Sequence, residues 1–198
     1  MEGCFAIDPV GKIGGLALFW KDREEVQIQT YSHWHVSARV RESNKGNWVF
    51  TDFYGHPDTS KRRFSWELLN RVKPTEGTAW CVAGDFNEIL SFREKVGGKL
   101  IPEHQLIQFR GAMESNNLFD AGCVGNIFTW SNRRYVFRFE ASWTDFCLMQ
   151  SGKLCSKMSW WRGWLQEAQT TSPSYYPLWN QEGIGAIGDM FSGLRPAG

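Results

Sequence analysis

Short apolar runs separated by turn residues open the chain. Residues 14–20 (GGLALFW) form an apolar run behind a Gly-rich turn, the pattern of a buried strand. Residues 26–31 (VQIQTY) alternate apolar and polar, as a half-buried strand does, and residues 35–41 (HVSARVR) alternate less cleanly. Residues 48–54 (WVFTDFY) predict another strand, stopped by Gly55-His56-Pro57. The gaps are too short for crossover helices, so this first quarter predicts an antiparallel meander.

The period then changes. Asp58-Thr59-Ser60 is a helix-start signal, and Phe64, Leu68 and Val72 follow at four-residue spacing, with Trp66 and Leu69 beside them. Pro74 ends that helix. A strand over 78–83 (TAWCVA) leads into Gly84-Asp85-Phe86-Asn87. A second helix is predicted over Glu103–Ser115, with Pro102 at its start and Leu106, Phe109 and Met113 on one face. A short strand over 127–130 (IFTW) follows Gly125-Asn126. A meander followed by alternating strands and helices predicts an α/β sandwich. Residues 151–168 have the spacing of an amphipathic helix, crowded by Trp160, Trp161 and Trp164, a cluster more typical of a core or interface face than of base stacking. Residues 171–198, rich in Gly, Pro and Ser, read as a poorly ordered tail.

Composition narrows the functional classes. The 198 residues suit one domain plus a tail, and 42% hydrophobic content is enough for a packed core. With 22 Lys+Arg against 21 Asp+Glu, there is no global basic excess, so any nucleic-acid contact must rest on a local patch. The odd count of five cysteines, without CxxC spacing, reads as reduced thiols. No signal-peptide pattern and no apolar run near the ~18 residues of a membrane span is present. The expectation is an intracellular protein, nuclear or cytoplasmic, not secreted, with no membrane and no evident obligate protein partner.

The candidate chemistry lies in residues 80–90 (WCVAGDFNEIL). Asp85 and Asn87 are two apart, so on an extended backbone they point the same way, at the end of an apolar strand. A carboxylate can orient or deprotonate a water. A neighbouring amide can hold a phosphate oxygen or a magnesium-bound group. The ordinary alternative is an Asx turn at a strand end. His33 and His35 hint at a metal pair but lack a third ligand, and His104 reads as surface. Lys61, Arg62 and Arg63 follow the Tyr54 turn. With Arg133 and Arg134 they could rim a phosphate site, or simply form a solvated first helical turn, where cations oppose the helix dipole.

Five segments carry a resemblance: GGLALFWK (14–21), FTDFYGHPDTSKRRFSWELL (50–69), WCVAGDFNEILSFREKVGG (80–98), FRGAMESNNLFDAGCVGNIFTWSNRR (109–134) and FRFEASW (137–143). In order and spacing they resemble the endonuclease/exonuclease/phosphatase superfamily, with its deoxyribonuclease I-like fold. The wording is closest to the endonuclease region of plant LINE-type non-LTR retrotransposons. The match covers residues 1–134, and residues 135–170 read as a divergent helical segment. The resemblance implies catalytic roles for Asp85, Asn87 and Tyr54, with Asp85 and Asn87 also facing the metal. It implies substrate-side roles for Thr129 and Asn132, magnesium as cofactor and DNA as partner. It also implies gaps. The family's first strands carry a metal-site Asn and Glu, and its Ser-Asp-His triplet supplies the remaining acid/base His. Neither has a counterpart here, and an internal deletion near 134–136 accounts for the second. The expectation is a partial four-layer α/β sandwich. The expected function is magnesium-dependent phosphodiester hydrolysis in origin, inactive or nearly so in this chain. The alternatives are a relic with weak nucleic-acid binding and a phosphoesterase of the same superfamily acting on small phosphates, which the FYGHP and FRFEASW wording disfavours.

Overall fold

The computed structural model describes residues 3–10, 15–20, 26–42, 46–120, 130–131, 140–141, 148–150 and 184–188. Twelve strands lie within them: β1 (Gly3–Ile7), β2 (Leu16–Trp20), β3 (Val26–Ser32), β4 (His35–Glu42), β5 (Gly46–Phe53), β6 (Ala79–Ala83), β7 (Lys95–Val96), β8 (Leu118–Asp120), β9 (Trp130–Ser131), β10 (Glu140–Ala141), β11 (Leu148–Gln150) and β12 (Ile184–Gly188). The helices are α1 (Arg62–Val72) and α2 (Glu103–Ser115).

The strands form a six-stranded sheet, in the order β3-β4-β5-β6-β11-β8, and a three-stranded sheet, β1-β2-β12. A small third sheet joins β7, β10 and β9, bringing the FRFEASW stretch against the end of FTWS. Side-chain alternation separates two cores. Leu16, Leu18 and Trp20 of β2 meet Val36, Ala38, Val40, Trp48, Phe50, Cys81 and Ala83 in one cluster between the sheets. Val49, Phe53, Trp80 and Val82 face the other way, toward Trp66, Leu69, Phe109, Ala112 and Met113 of the helices. β6 is buried on both faces, as the apolar run of residues 79–83 requires. The described residues thus give a three-layer frame: sheet, sheet, helices.

The meander holds for β3-β4-β5, which pair antiparallel in sequence order. It does not extend to β2. That strand joins the other sheet, paired with β1 on one side and β12 on the other. Two further segments, to which the sequence reading assigned no strand, are strands. Residues 3–7 alternate in burial along β1, a signal masked by the glycines around them. Residues 184–188 lie in the stretch read as a tail.

The second helix runs over the predicted residues, with Leu106, Phe109, Ala112 and Met113 buried and Pro102 at its N-cap. Asp58 caps a single 3-10 turn (Thr59–Lys61) that leads into the first helix, its carboxylate accepting from the Ser60 N–H at 3.0 Å, while α1 itself begins at Arg62 without a side-chain cap. Its buried face keeps Trp66 and Leu69, with Leu68 and Val72 packed against the same core, and departs from expectation at Phe64 and Arg62. Arg62, Ser65, Trp66 and Leu69 face inward, while Phe64 is 49% exposed. Trp66 sets this orientation by stacking on Phe109 of α2 at 4.8 Å between ring centroids. A large flat ring gains more from that contact than Phe64 would gain from the sheet. The helix read over residues 151–168 lies outside the described residues.

Candidate active site

Parallel pairing builds the site. β5 and β6 run side by side with Trp48 opposite Ala79 and Asp52 opposite Ala83, so both strands end at the same edge. The FYGHP and GDFN loops leave there together, the usual position for functional groups in α/β proteins. The Gly55 N–H donates to the Asp85 carbonyl at 2.7 Å, continuing the pairing beyond the strands. Two glycines allow that approach. A Cβ on Gly55 would fall 2.1 Å from the Phe86 carbonyl oxygen, and one on Gly84 would fall 2.2 Å from that of Phe53. Gly84 also has φ +131, which side chains resist. Between them Phe86 is fully buried, 5.0 Å from the Phe53 ring and 5.6 Å from Phe109. Its burial, worth about 1.5–3 kcal/mol, pins the loop to the helical core.

Asp85 and Asn87 are not aligned by strand alternation, because the chain turns after Ala83. The Asp85 carboxylate accepts from the Asn87 backbone N–H at 2.7 Å, an Asx turn, and Asn87 takes a left-handed φ of 52. The turn swings the Asn87 amide back, and its Nδ2 donates to the Gly55 carbonyl at 2.9 Å. The turn holds the Asp85 carboxylate on the Asn87 N–H and the Asn87 amide on the Gly55 carbonyl.

Tyr54 is half-buried, with its N–H donating to the Trp34 carbonyl at 2.9 Å. Its ring lies parallel to that of Trp34 at 5.8 Å, and the His56 ring stacks on Trp34 at 4.7 Å. The tip of the β3–β4 hairpin thus braces the Tyr54 loop through an aromatic stack. Sequence reading passed over Trp34, whose role depends on the hairpin meeting a loop twenty residues later. His56 Nδ1 accepts from the Asp58 N–H at 3.0 Å, which leaves its other nitrogen as the donor of the neutral ring. Burial and the nearby Lys61 lower its pKa.

Comparison with known proteins settles the fold. No protein-family model and no curated protein matches the chain. Solved structures do. The endonuclease domain of TRAS1, a telomere-specific non-LTR retrotransposon, aligns with a TM-score of 0.53 over 76% of this chain and 68% of that domain, at 14% sequence identity. The fold is deoxyribonuclease I-like. An endonuclease/exonuclease/phosphatase family protein from Leptotrichia buccalis C-1013-b aligns over 75% of this chain and 61% of its own at 13% identity, with a TM-score of 0.32.

Within this deoxyribonuclease I-like frame the predicted site residues separate. Tyr54, Asp85 and Asn87 come together. Thr129 and Asn132, with Arg133 and Arg134, lie outside the described residues. The three cations of the rim divide. Lys61 and Arg63 are exposed, Arg63 over the Phe64 ring at 4.6 Å. Arg62 is no rim residue: its side chain is 8% exposed and forms an ion pair with Glu88, which is 1% exposed. Its Nε also reaches the His56 carbonyl at 3.4 Å. Period explains this, since Arg62 shares the buried helix face of Ser65, Trp66 and Leu69. The histidines make no metal pair either. His33 is exposed in the hairpin turn. His35 is buried, with its ring nitrogens at 2.8 Å from Ser32 Oγ and 3.1 Å from Thr30 Oγ1. Burial, with the nearby Arg71, pushes its pKa down to about 4, so it stays neutral. His104 is exposed, as expected.

Asp52 was not singled out by sequence reading. It is fully buried on β5, and neither carboxylate oxygen has a hydrogen-bond partner. Burial pushes its pKa up to about 7, against a smaller opposing effect of the Phe53 backbone. Its neighbour Thr51 is satisfied by contrast, with Trp80 Nε1 donating to it at 2.9 Å and the Ser37 hydroxyl 3.1 Å away.

Magnesium, implied by the sequence resemblance, requires hard oxygen donors, and the Asp85 carboxylate and Asn87 amide have that chemistry. Among the described residues no three His, Cys, Asp or Glu side chains group closely enough to cage an ion. Magnesium sites commonly use one or two carboxylates, completed by waters and phosphate, so the residues present fit this ion. Among the described residues no helix is long and apolar enough to cross a membrane.

Proposed function

We propose that the chain is a retrotransposon-derived endonuclease-like domain, whose line of descent cleaves DNA phosphodiesters with magnesium, and which is itself inactive or nearly so. The meeting of the GDFN and FYGHP loops at the ends of two parallel strands carries this reading. Asp85 is the group to orient or deprotonate a water, Asn87 to hold a phosphate oxygen, and Tyr54 to contact the same phosphate. Asp85 and Asn87 would hold the metal, which when bound offsets charge developing on the phosphate.

The missing acid/base partner supports inactivity. His35 is buried and doubly hydrogen-bonded, and His56 commits a nitrogen to the Asp58 backbone. Losing general acid/base help costs typically ~10²–10⁴-fold in rate. A plasmid-nicking assay in magnesium, run beside Asp85→Ala, tests this. Both proteins should leave the plasmid supercoiled. Nicking by the parent chain that Asp85→Ala abolishes would overturn the inactive reading while keeping the nuclease one.

The exposed Lys61 and Arg63 beside the loops favour residual nucleic-acid binding as a second reading. Such binding should weaken steeply with salt, since each neutralised phosphate contributes a slope of about −0.9 in log affinity against log salt.

A further inference from the structure

A buried carboxylate with no partner calls for a compensating charge. Desolvation of an isolated carboxylate costs several kcal/mol after relaxation, so the group either takes up a proton or meets a cation. Asp52 is 0% exposed and neither oxygen finds a donor. Three observations place it relative to the candidate site. Trp48 and Phe50, at even positions of β5, belong to the cluster between the sheets, and Asp52 follows in the same alternation. Its pairing partners Val36 and Ala83 belong to that cluster too. Two residues further along the parallel strands come Tyr54 and Asp85, both half-buried at the rim. Asp52 pairs with Ala83, and only Gly84 separates Ala83 from Asp85, so the two carboxylates belong to the same end of the paired strands.

We propose that Asp52 is the inner carboxylate of a divalent-cation site whose outer carboxylate is Asp85. The inference rests on the metal-binding reading of the Asp85 site and extends it to a residue on the strand beneath. It gives the site a second negative oxygen donor from β5, where the sequence motif supplies one from the GDFN turn. Hard divalent ions of the magnesium and manganese type match two carboxylates and an amide oxygen. A histidine is not at hand for a softer ion, since His35 on the neighbouring strand is already bonded to Ser32 and Thr30.

The test uses the full chain, stripped with EDTA, at pH 8. Manganese is the probe, followed by its own EPR signal and by the melting temperature. The parent should bind manganese and melt higher with it. Asp52→Asn should fold and melt no lower than the parent in EDTA, yet bind manganese at least ~10-fold more weakly and lose the thermal shift. Asp52→Ser repeats the measurement should the Asn variant fail to fold. Asp85→Asn separates the two ideas. If it abolishes binding while both Asp52 variants bind as the parent does, Asp52 has no part in the site and the Asp85 reading stands. If the parent binds no manganese, both fall.

Discussion

Removing Arg62 should unfold more of this protein than removing any surface cation. The guanidinium and Glu88 are an ion pair with side chains 8% and 1% exposed, and Glu88 Oε1 also accepts from the Ile89 N–H at 3.2 Å. Arg62 sits where α1 begins, so the pair ties that helix to the loop following GDFN. Arg62→Ala takes the cation from a carboxylate that remains desolvated. Breaking a buried pair from one side costs about 3–5 kcal/mol, whereas exposed pairs are worth about 0–1. Lys95 lies within range of the Glu88 charge, which sets the expectation at the lower end, about 3 kcal/mol. Against a typical domain stability of 5–15 kcal/mol that is a large fraction. Urea unfolding followed by tryptophan fluorescence reads it as a drop in midpoint. The paired replacement Arg62→Met with Glu88→Leu should recover most of the loss, because it removes both charges. A cost below about 1 kcal/mol for Arg62→Ala, or weakened DNA binding without lost stability, would refute the buried-tie argument and return Arg62 to the substrate rim.

Other outcomes follow from the same geometry. Asp52, raised by burial from 3.8 to about 7, keeps a proton in the folded chain that the unfolded chain releases. In metal-free buffer stability should be greatest below pH 4 on this account and fall through pH 7 by about 4 kcal/mol, at 1.36 kcal/mol per pH unit. Asp52→Asn should flatten that slope in urea titrations, and an unchanged slope would assign it elsewhere. Gly55→Ala, which drives a Cβ to 2.1 Å from a backbone oxygen, should cost more than about 3 kcal/mol, against a near-neutral change at the open Gly77 only if its left-handed φ is respected, as with Gly77→Asn. Trp34→Ala should leave the chain folded while increasing protease cleavage at the Tyr54–Asp58 loop, which loses its stacked brace.

Much of the fold was legible because local patterns carried it. The second helix shows Leu106, Phe109 and Met113 at helical spacing, and its bounds match. The runs that became β3 to β6 matched their periods. The first helix was found with most of its face: Trp66 and Leu69 are buried and Leu68 and Val72 pack against the same core, but Phe64 is exposed while Trp66 stacks on Phe109, a contact distant in sequence. Strand membership was equally illegible for β2. Its five residues fit either sheet, and contacts with residues 3–7 and 184–188 determine which it joins.

By itself the sequence singled out the stretch at the end of β6 and offered an Asx turn as one of its two readings. Gly84-Asp85-Phe86-Asn87 is a local unit: the Asx turn, the left-handed Asn and the backbone freedom of Gly84 are properties of neighbours, so they can be read from neighbours. Tertiary structure alone decided which charges face solvent. Asp52 and Arg62 look like any carboxylate and guanidinium in a string of letters. One is closed between two sheets without a donor, and the other is folded onto Glu88 twenty-six residues away. Burial is a sum over distant contacts, and it sets the energy of a charge more strongly than any neighbour in the chain.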